Sequence, residues 1–195
     1  MAMTLQALKY GVALAGIGLS GTASAHSGGE AGYSLLSGLA HPLTGVDHLL
    51  AMLAVGLWAG LIGGRARIAF PAAFLGMMLV AGAWGMSGAA LAGVEIGIAV
   101  SVLVLGLAIA LRANPPILAG AAACAIFAIF HGHAHGAELP EAAGGLSYAL
   151  GFVMATGALH VIGLQAARLL TARSPLAARL AGGGVALAGL ALLAG

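Results

Sequence analysis

The chain has 195 residues, of which 62% are hydrophobic and only 6% are charged, and its formal net charge at pH 7 is +2. A water-soluble domain could not cover so much apolar surface with so few polar groups, and the mean hydropathy of +1.10 agrees, so the composition predicts a membrane protein. The arginines are dispersed among apolar runs rather than gathered in a basic block, which argues against nucleic acid as a partner.

The N-terminal residues 1–25 are typical of a signal peptide. Lys9 precedes an apolar stretch, and Ala23-Ser24-Ala25 provides an A-x-A exit. The apolar stretch is shorter than the roughly 20 residues that a membrane-spanning helix requires, which favours cleavage after Ala25 over an uncleaved first helix. Residues 26–195 are then predicted to form one transmembrane helical domain that begins on the outer side with His26.

This domain is predicted to be all-α and polytopic, with about six membrane-spanning helices. Six apolar segments follow the signal peptide, at Leu35–Leu61, Ile68–Ser87, Val94–Leu111, Ile117–His131, Leu146–Ala167 and Leu176–Leu193. Its many glycines predict close helix packing, since small residues let transmembrane helices approach one another. Cys124 is the single cysteine of the chain, so the sequence predicts no disulfide framework.

The arginines predict the orientation of the domain. They follow the first and third segments or surround the connection from the fifth segment to the sixth, at Arg65, Arg67, Arg112, Arg168, Arg173 and Arg179. All of these positions lie on one side of a six-span protein, and the positive-inside rule makes that side cytoplasmic. We therefore predict a multi-pass protein of the bacterial cytoplasmic membrane whose mature N- and C-termini are both outside.

One polar motif lies within the first segment, at His41-Pro-Leu-Thr-Gly-Val-Asp47-His48. On one continuous helix His41 and His48 share a stripe, about 10 Å apart along the axis, and Asp47 and His48 lie about 18 Å into the segment, near the midplane. Pro42 suits the first turn of a helix, whereas Gly45 is a weak point where the backbone could open. Because ionisable groups inside spans are usually functional, the motif predicts an ion-binding site.

A second motif, Phe130-His131-Gly132-His133-Ala134-His135-Gly136-Ala137-Glu138, follows the fourth segment. If the helix continues, His131 and His135 lie one turn apart on one face, and Glu138 lies near them. Imidazole and carboxylate together suit Ni²⁺, Zn²⁺, Cu²⁺ or Co²⁺ better than Mg²⁺ or Ca²⁺. The alternative is a histidine patch on the outer surface. His133 points off this face, which favours contact with solvent or a metal-gathering role.

Two further polar residues interrupt predicted spans. Glu95 begins the third segment, where it is either an accessory group on an ion pathway or an interfacial carboxylate at a favourable helix N-terminus. His160 lies deeper, in the fifth segment, where it either belongs to the pathway or makes a helix-to-helix hydrogen bond. With His26 and the two motifs, these residues would form a series of polar groups from the outer side inward.

The two motifs together resemble those of the HupE/UreJ family of membrane proteins, which is found with hydrogenase and urease accessory genes. The likeness also covers Glu-x-x-Ile-Ala-x-Ser-Val at Glu95 to Val102 and the histidine at position 160. It implies nickel uptake for metalloenzyme maturation, with the functional motif positions at His41, Asp47, His48, His131, His135 and Glu138. His133 occupies a variable position of the second motif and could alter the metal preference.

We therefore expect a secondary permease or facilitator for a divalent transition metal, nickel first, with cobalt, zinc or copper as alternatives. The chain contains no nucleotide-binding P-loop and no His-Glu-x-x-His motif, which favours transport over catalysis. The competing hypothesis is a membrane-embedded metal-binding scaffold or metalloenzyme, since a bound ion with an open position can activate water. The expected partners are the metal ion and the lipid bilayer, a homo-oligomer is left open, and no permanent cofactor is predicted.

Overall fold

The computed structural model describes residues 34–138 and 145–195, which form α-helices and no strand. In chain order the helices are α1 (Leu35–Thr44), α2 (Val46–Ile62), α3 (Ala66–Met86), α4 (Val94–Ala110), α5 (Ile117–Glu138), α6 (Gly145–Arg173) and α7 (Pro175–Ala194). The predicted all-α class is confirmed. The predicted signal peptide and His26 lie outside the described residues.

The first apolar segment is broken at Gly45, where α1 and α2 meet at an angle of 88°. Gly45 has an extended backbone, with φ −93° and ψ 117°. The Thr44 hydroxyl donates to the His41 carbonyl at 2.8 Å and so satisfies an acceptor that the end of a helix leaves free. The next helix starts with a bond from the Leu49 amide to the Gly45 carbonyl, at 2.9 Å. A single helix over this segment was therefore the wrong prediction, while the opening at Gly45 is confirmed.

This break changes the position of every residue in the first motif. His41 and His48 lie on different helices, so they do not share the stripe predicted for a straight helix. Pro42 is buried in the last turn of α1 rather than in a first turn. Asp47 lies in the first turn of α2, so the predicted rise of about 18 Å along one continuous helix is wrong, while its predicted depth in the membrane stays a prediction.

Among the residues that the structure describes, four helices are long and apolar enough to cross a membrane, namely α3, α5, α6 and α7. The bent pair of α1 and α2 makes a fifth span if the two helices cross together. At 17 residues, α4 rises about 25 Å, which is shorter than a hydrocarbon core of about 30 Å. The structure thus supports four or five spans by length, and six spans remain a prediction. Unlike the predicted fourth segment, α5 continues past His131 to Glu138, so the second motif is helical.

The helices pack in pairs, with α3 along α5, α4 along α7 and α2 along α6, while α1 also lies against α6. The first and third of these pairs run parallel, since Gly120 and Gly136 of α5 meet Phe70 and Gly82 of α3, whereas α4 and α7 are antiparallel. Glycines form several of these contacts. A Cβ atom placed on Gly136 of α5 would collide with the backbone carbonyl of Gly82 on α3. Only a residue without a side chain permits this approach, which is the close packing expected from small residues in membrane helices.

The two ends of the bundle differ in chemistry. At one end, the Trp58 indole donates to the Ala113 carbonyl at 2.9 Å, and the Arg179 guanidinium donates to the Ala110 carbonyl at 3.0 Å. These bonds join the end of α2, the α4–α5 connection and the start of α7. The turns that carry the arginines therefore meet at this end. The two histidine motifs lie at the opposite end, where α2 begins and α5 ends.

Candidate metal centre

The side chains of the two histidine motifs converge at one end of the bundle, although the motifs are far apart in the chain. We use the name histidine cluster for His41, Asp47, His48, His131, His135 and Glu138. The His48 ring lies 4.8 Å from the His131 ring and 4.3 Å from the His135 ring, measured between centroids. The break at Gly45 allows this convergence, because α1 brings His41 to α5 from a different direction than α2 brings His48.

The outermost part of the cluster is a triad of His41, His135 and Glu138, whose ligand atoms all lie within 4.8 Å of one another. His41 Nε2 is 3.1 Å from His135 Nδ1, and Glu138 Oε2 is 3.8 Å from the first nitrogen and 4.0 Å from the second. The Glu138 side chain is 66% exposed and the His135 side chain only 8%. The triad therefore runs from the surface into the protein.

These distances suit one small transition-metal ion. A tetrahedral ion with bonds of about 2.0–2.1 Å holds its ligand atoms about 3.3 Å apart. The two nitrogens of the triad, 3.1 Å apart, are already close to this spacing, and the Glu138 carboxylate, 3.8 and 4.0 Å from them, needs to approach by about half an ångström or slightly more. Three protein ligands leave a fourth position open for a water molecule or for the next ligand along a pathway.

Asp47 holds the His48 ring. A single Asp47 carboxylate oxygen, Oδ1, accepts from the His48 backbone amide at 2.7 Å and lies 2.8 Å from His48 Nδ1. The carboxylate therefore places the ring proton on Nδ1 and leaves a lone pair on Nε2. A carboxylate behind a histidine is the usual support of a metal-binding imidazole, because it sets the tautomer and the ring orientation.

Ser101 of α4 orients the His131 ring and sets its tautomer, as Asp47 does for His48. The Ser101 hydroxyl donates to the Ile98 carbonyl at 2.6 Å, so its oxygen is left to accept from His131 Nε2, 2.8 Å away. This assigns the proton of the neutral His131 ring to Nε2 and the lone pair to Nδ1. Sequence reasoning did not select Ser101, although a hydroxyl group in an apolar helix is a recognisable signal.

Three buried imidazole nitrogens of the cluster have no hydrogen-bond partner within the part of the chain that the structure describes. They are His48 Nε2, His131 Nδ1 and His135 Nε2. Buried polar atoms are rarely left unpaired, and each such atom calls for an explanation. Since Asp47 and Ser101 direct the lone pairs of His48 and His131 to these same positions, the cluster presents nitrogen lone pairs that suit a metal ion.

Aromatic side chains of α6 form one wall of the cluster. The Phe152 ring lies 4.2 Å from the His135 ring, and the Tyr148 ring lies 5.6 Å from the His41 ring. Both aromatic residues are buried. Sequence reasoning missed them because only the packing of α6 against α1 and α5 brings them to the histidines.

His133 does not have the exposed position that the sequence predicted for it. The residue is 4% exposed, its Nε2 atom lies 2.7 Å from the Ala89 carbonyl, and its ring packs edge-on against Trp84. The predicted direction, away from the His131 and His135 face, is correct. The predicted contact with solvent is wrong, because this side of α5 is covered by the end of α3 and the loop that follows it.

The remaining accessory candidates lie outside the cluster. Glu95 is exposed in the first turn of α4, as the interfacial alternative describes, and it lines a cavity together with Asp47. His160 is buried on α6, and its ring meets the Phe74 ring edge-on at 5.4 Å. The predicted alternative of a helix-to-helix hydrogen bond through the His160 ring is not seen among the described residues.

Comparisons with known proteins agree with the likeness of the two motifs. The family model described as HupE / UreJ protein matches residues 13–192 of the chain. The chain is 45% identical over 188 residues to Protein HupE of Rhizobium leguminosarum bv. viciae, and the alignment covers 96% of this chain and 98% of that protein. Among solved structures, none matches the chain significantly.

Proposed function

The chain belongs to the HupE/UreJ family, and from this membership we propose that it carries a divalent transition-metal ion, nickel first, across the bacterial cytoplasmic membrane. The ion would supply hydrogenase or urease maturation, in keeping with the accessory genes among which the family is found. Cobalt, zinc and copper are the other ions that the ligand chemistry would accept.

The observation that carries this proposal is the convergence of both motifs on one group of lone pairs. Donor atoms of His41 and His135 lie 3.1 Å apart beside the Glu138 carboxylate. Behind them, Asp47 and Ser101 hold His48 and His131 with a ring nitrogen of each left unpaired among the residues that the structure describes. In the proposed order, Glu138 and His41 capture the ion, and His135 passes it to His48 and His131.

The orientation follows from the two ends of the bundle. The arginines lie at the end opposite to the histidine cluster, and the positive-inside rule assigns that end to the cytoplasm. The histidine cluster then faces the outer, periplasmic side, from which an imported metal ion arrives. In this orientation the C-terminal end of α7 also lies outside.

A metal-binding scaffold or metalloenzyme is the competing function. The observation in its favour is the open fourth position that the triad of His41, His135 and Glu138 would leave on a bound ion, since such a position can hold a reactive water molecule. A scaffold would bind metal without moving it, so transport by the purified protein distinguishes the two functions.

The test is uptake by the purified full chain in liposomes that enclose a metal-sensitive dye. We expect Ni²⁺ uptake that saturates with external metal and needs no nucleotide. Protein-free liposomes and liposomes with an equal amount of the His41→Ala variant are the controls. Tight Ni²⁺ binding without uptake above the protein-free control would reject transport and favour the scaffold.

The position of His133 predicts an effect on stability rather than on metal affinity. His133→Ala removes a buried hydrogen bond to the Ala89 carbonyl and the contact with Trp84, which we expect to destabilise the protein by about 1 kcal/mol. Thermal unfolding in detergent should show the loss, and the Ni²⁺ concentration for half-maximal uptake should stay unchanged when the amounts of protein are matched. A several-fold rise in that concentration would instead support the metal-gathering role.

A further inference from the structure

Two polar side chains lie on α6 outside the histidine cluster, and the proposed function does not yet use them. Thr156 is 0% exposed and His160 is 1% exposed. They are four residues apart on one helix, so their side chains share a face. Within residues 34–138 and 145–195, Thr156 Oγ1 and both ring nitrogens of His160 have no hydrogen-bond partner.

Such an arrangement is costly unless a ligand compensates for it. A buried donor or acceptor without a partner destabilises a protein by about 1–3 kcal/mol. A threonine in a helix can usually bond to the carbonyl one turn earlier, yet no bond of this kind satisfies Thr156 in the described chain. The three atoms together therefore indicate a site for something polar.

The position of His160 continues the path that begins at the histidine cluster. Phe152 contacts the His135 ring, and His160 lies eight residues further, about 12 Å along α6 towards the arginine end. The Phe74 ring lies near both His131 of the cluster and His160, with its centroid 5.6 Å from the His131 ring and 5.4 Å from the His160 ring. One aromatic ring thus separates the innermost histidine of the cluster from His160.

On the premise of the proposed function, we propose that His160 and Thr156 form an inner binding station, which receives the transition-metal ion from the histidine cluster on its way to the cytoplasmic side. An imidazole nitrogen and a hydroxyl oxygen are its ligands. Imidazole is a good ligand for Ni²⁺ and Co²⁺ and a poor one for Mg²⁺ and Ca²⁺, so the station takes the same class of ion as the cluster.

No acidic side chain of the described residues lies near the inner station, so an ion bound there can leave again. In the described ranges the acidic residues are Asp47, Glu95 and Glu138, and each lies at the histidine end of the bundle, at the start of α2, at the start of α4 and at the end of α5. The inner station therefore holds a divalent cation with neutral ligands alone. Binding of this kind is weak, and a conducting pathway requires sites that an ion can leave.

Transport kinetics in liposomes test the station. Thr156→Val removes the hydroxyl at nearly constant volume, and His160→Leu replaces the ring by an apolar side chain. Each variant should lower the maximal rate of Ni²⁺ uptake by about tenfold, the scale on which groups that support a metal site act. The Ni²⁺ concentration for half-maximal uptake and the Ni²⁺ affinity in detergent should remain those of the wild type, because the histidine cluster is intact.

Thr171→Val is the matched control, since it makes the same change on the same helix, at a hydroxyl that already donates to the Ala167 carbonyl at 2.7 Å, and it should transport at nearly the wild-type rate. Unchanged Ni²⁺ affinity shows that the variants are folded, so a lower maximal rate cannot come from loss of structure. Wild-type maximal rates in both Thr156→Val and His160→Leu would overturn the inner station and leave the proposed function intact.

A second measurement shows whether metal binds at the inner station, even if the wild-type protein transports nothing. Crystals of the full chain grown with excess Co²⁺ should show an anomalous scattering peak beside His160 and Thr156, in addition to any peak at the histidine cluster. Peaks at the cluster alone would overturn the station. Failure of the proposed function appears separately, as binding without uptake by the wild type.

Discussion

Replacing His135 with alanine should reduce Ni²⁺ uptake by about two orders of magnitude or more, the largest loss expected from one substitution in the histidine cluster. His135 belongs to the outer triad with His41 and Glu138, and its ring also contacts the inner histidine His48. Its Nδ1 atom lies 3.1 Å from His41 Nε2, and its Nε2 atom is buried beside His48. Alanine would therefore remove one ligand of the outer triad, and it would also remove the ring that passes the ion on to His48.

The measurement is initial Ni²⁺ uptake in liposomes over a range of external metal concentrations, together with Ni²⁺ binding in detergent. His133→Ala is the matched control, because it removes a buried imidazole two residues away on the same helix and leaves the cluster untouched. Wild-type affinity and rate in a folded His135→Ala variant would show that the histidine cluster is not the metal site.

The second large effect is expected from Asp47→Asn, which should lower uptake by 10- to 100-fold, on the order of losses seen when the support of a metal ligand is removed. Asparagine keeps the size of the side chain and one acceptor oxygen but loses the negative charge. The charge holds the proton on His48 Nδ1, 2.8 Å away, and so keeps the lone pair on Nε2.

A double-mutant cycle with His48→Ala tests whether Asp47 acts through His48. If it does, Asp47→Asn should have little further effect on uptake once His48 is absent, because the two substitutions remove the same function. Losses that add in full would show that Asp47 contributes independently, as a direct ligand or as a fixed charge for the ion. Protein levels in the liposomes must be matched by immunoblot.

Several features of this protein follow from its sequence alone. Membrane class and the all-α fold are consequences of composition and of the length of the apolar runs, because a bilayer permits few other solutions for a chain of this kind. The shared face of His131 and His135 is a consequence of helical periodicity, which acts within one turn and needs no partner. Gly45 was also recognisable as the weak point of the first segment.

The break at Gly45 itself was decided by tertiary packing. A glycine inside an apolar run can continue a helix or end it, at a local cost of about 1 kcal/mol, and contacts elsewhere select one outcome. Here α1 lies against α6, where a side chain on Gly38 would collide with the Tyr148 carbonyl and one on Gly151 with the Leu35 carbonyl. That packing turns α1 away from α2, and the residues next to Gly45 do not specify which helix α1 will pack against.

The partners of the metal-site candidates were likewise decided by the fold. Periodicity predicts which residues share a helix face but not which helix lies opposite, so Ser101 beside His131, Phe152 beside His135 and the Ala89 carbonyl beside His133 became visible only in the structure. The sequence determined which ligand types the protein has. The crossing of α1, α2, α4 and α5 determined which of their nitrogen atoms remain free to bind an ion, because hydrogen bonds between helices depend on distances that no single helix specifies.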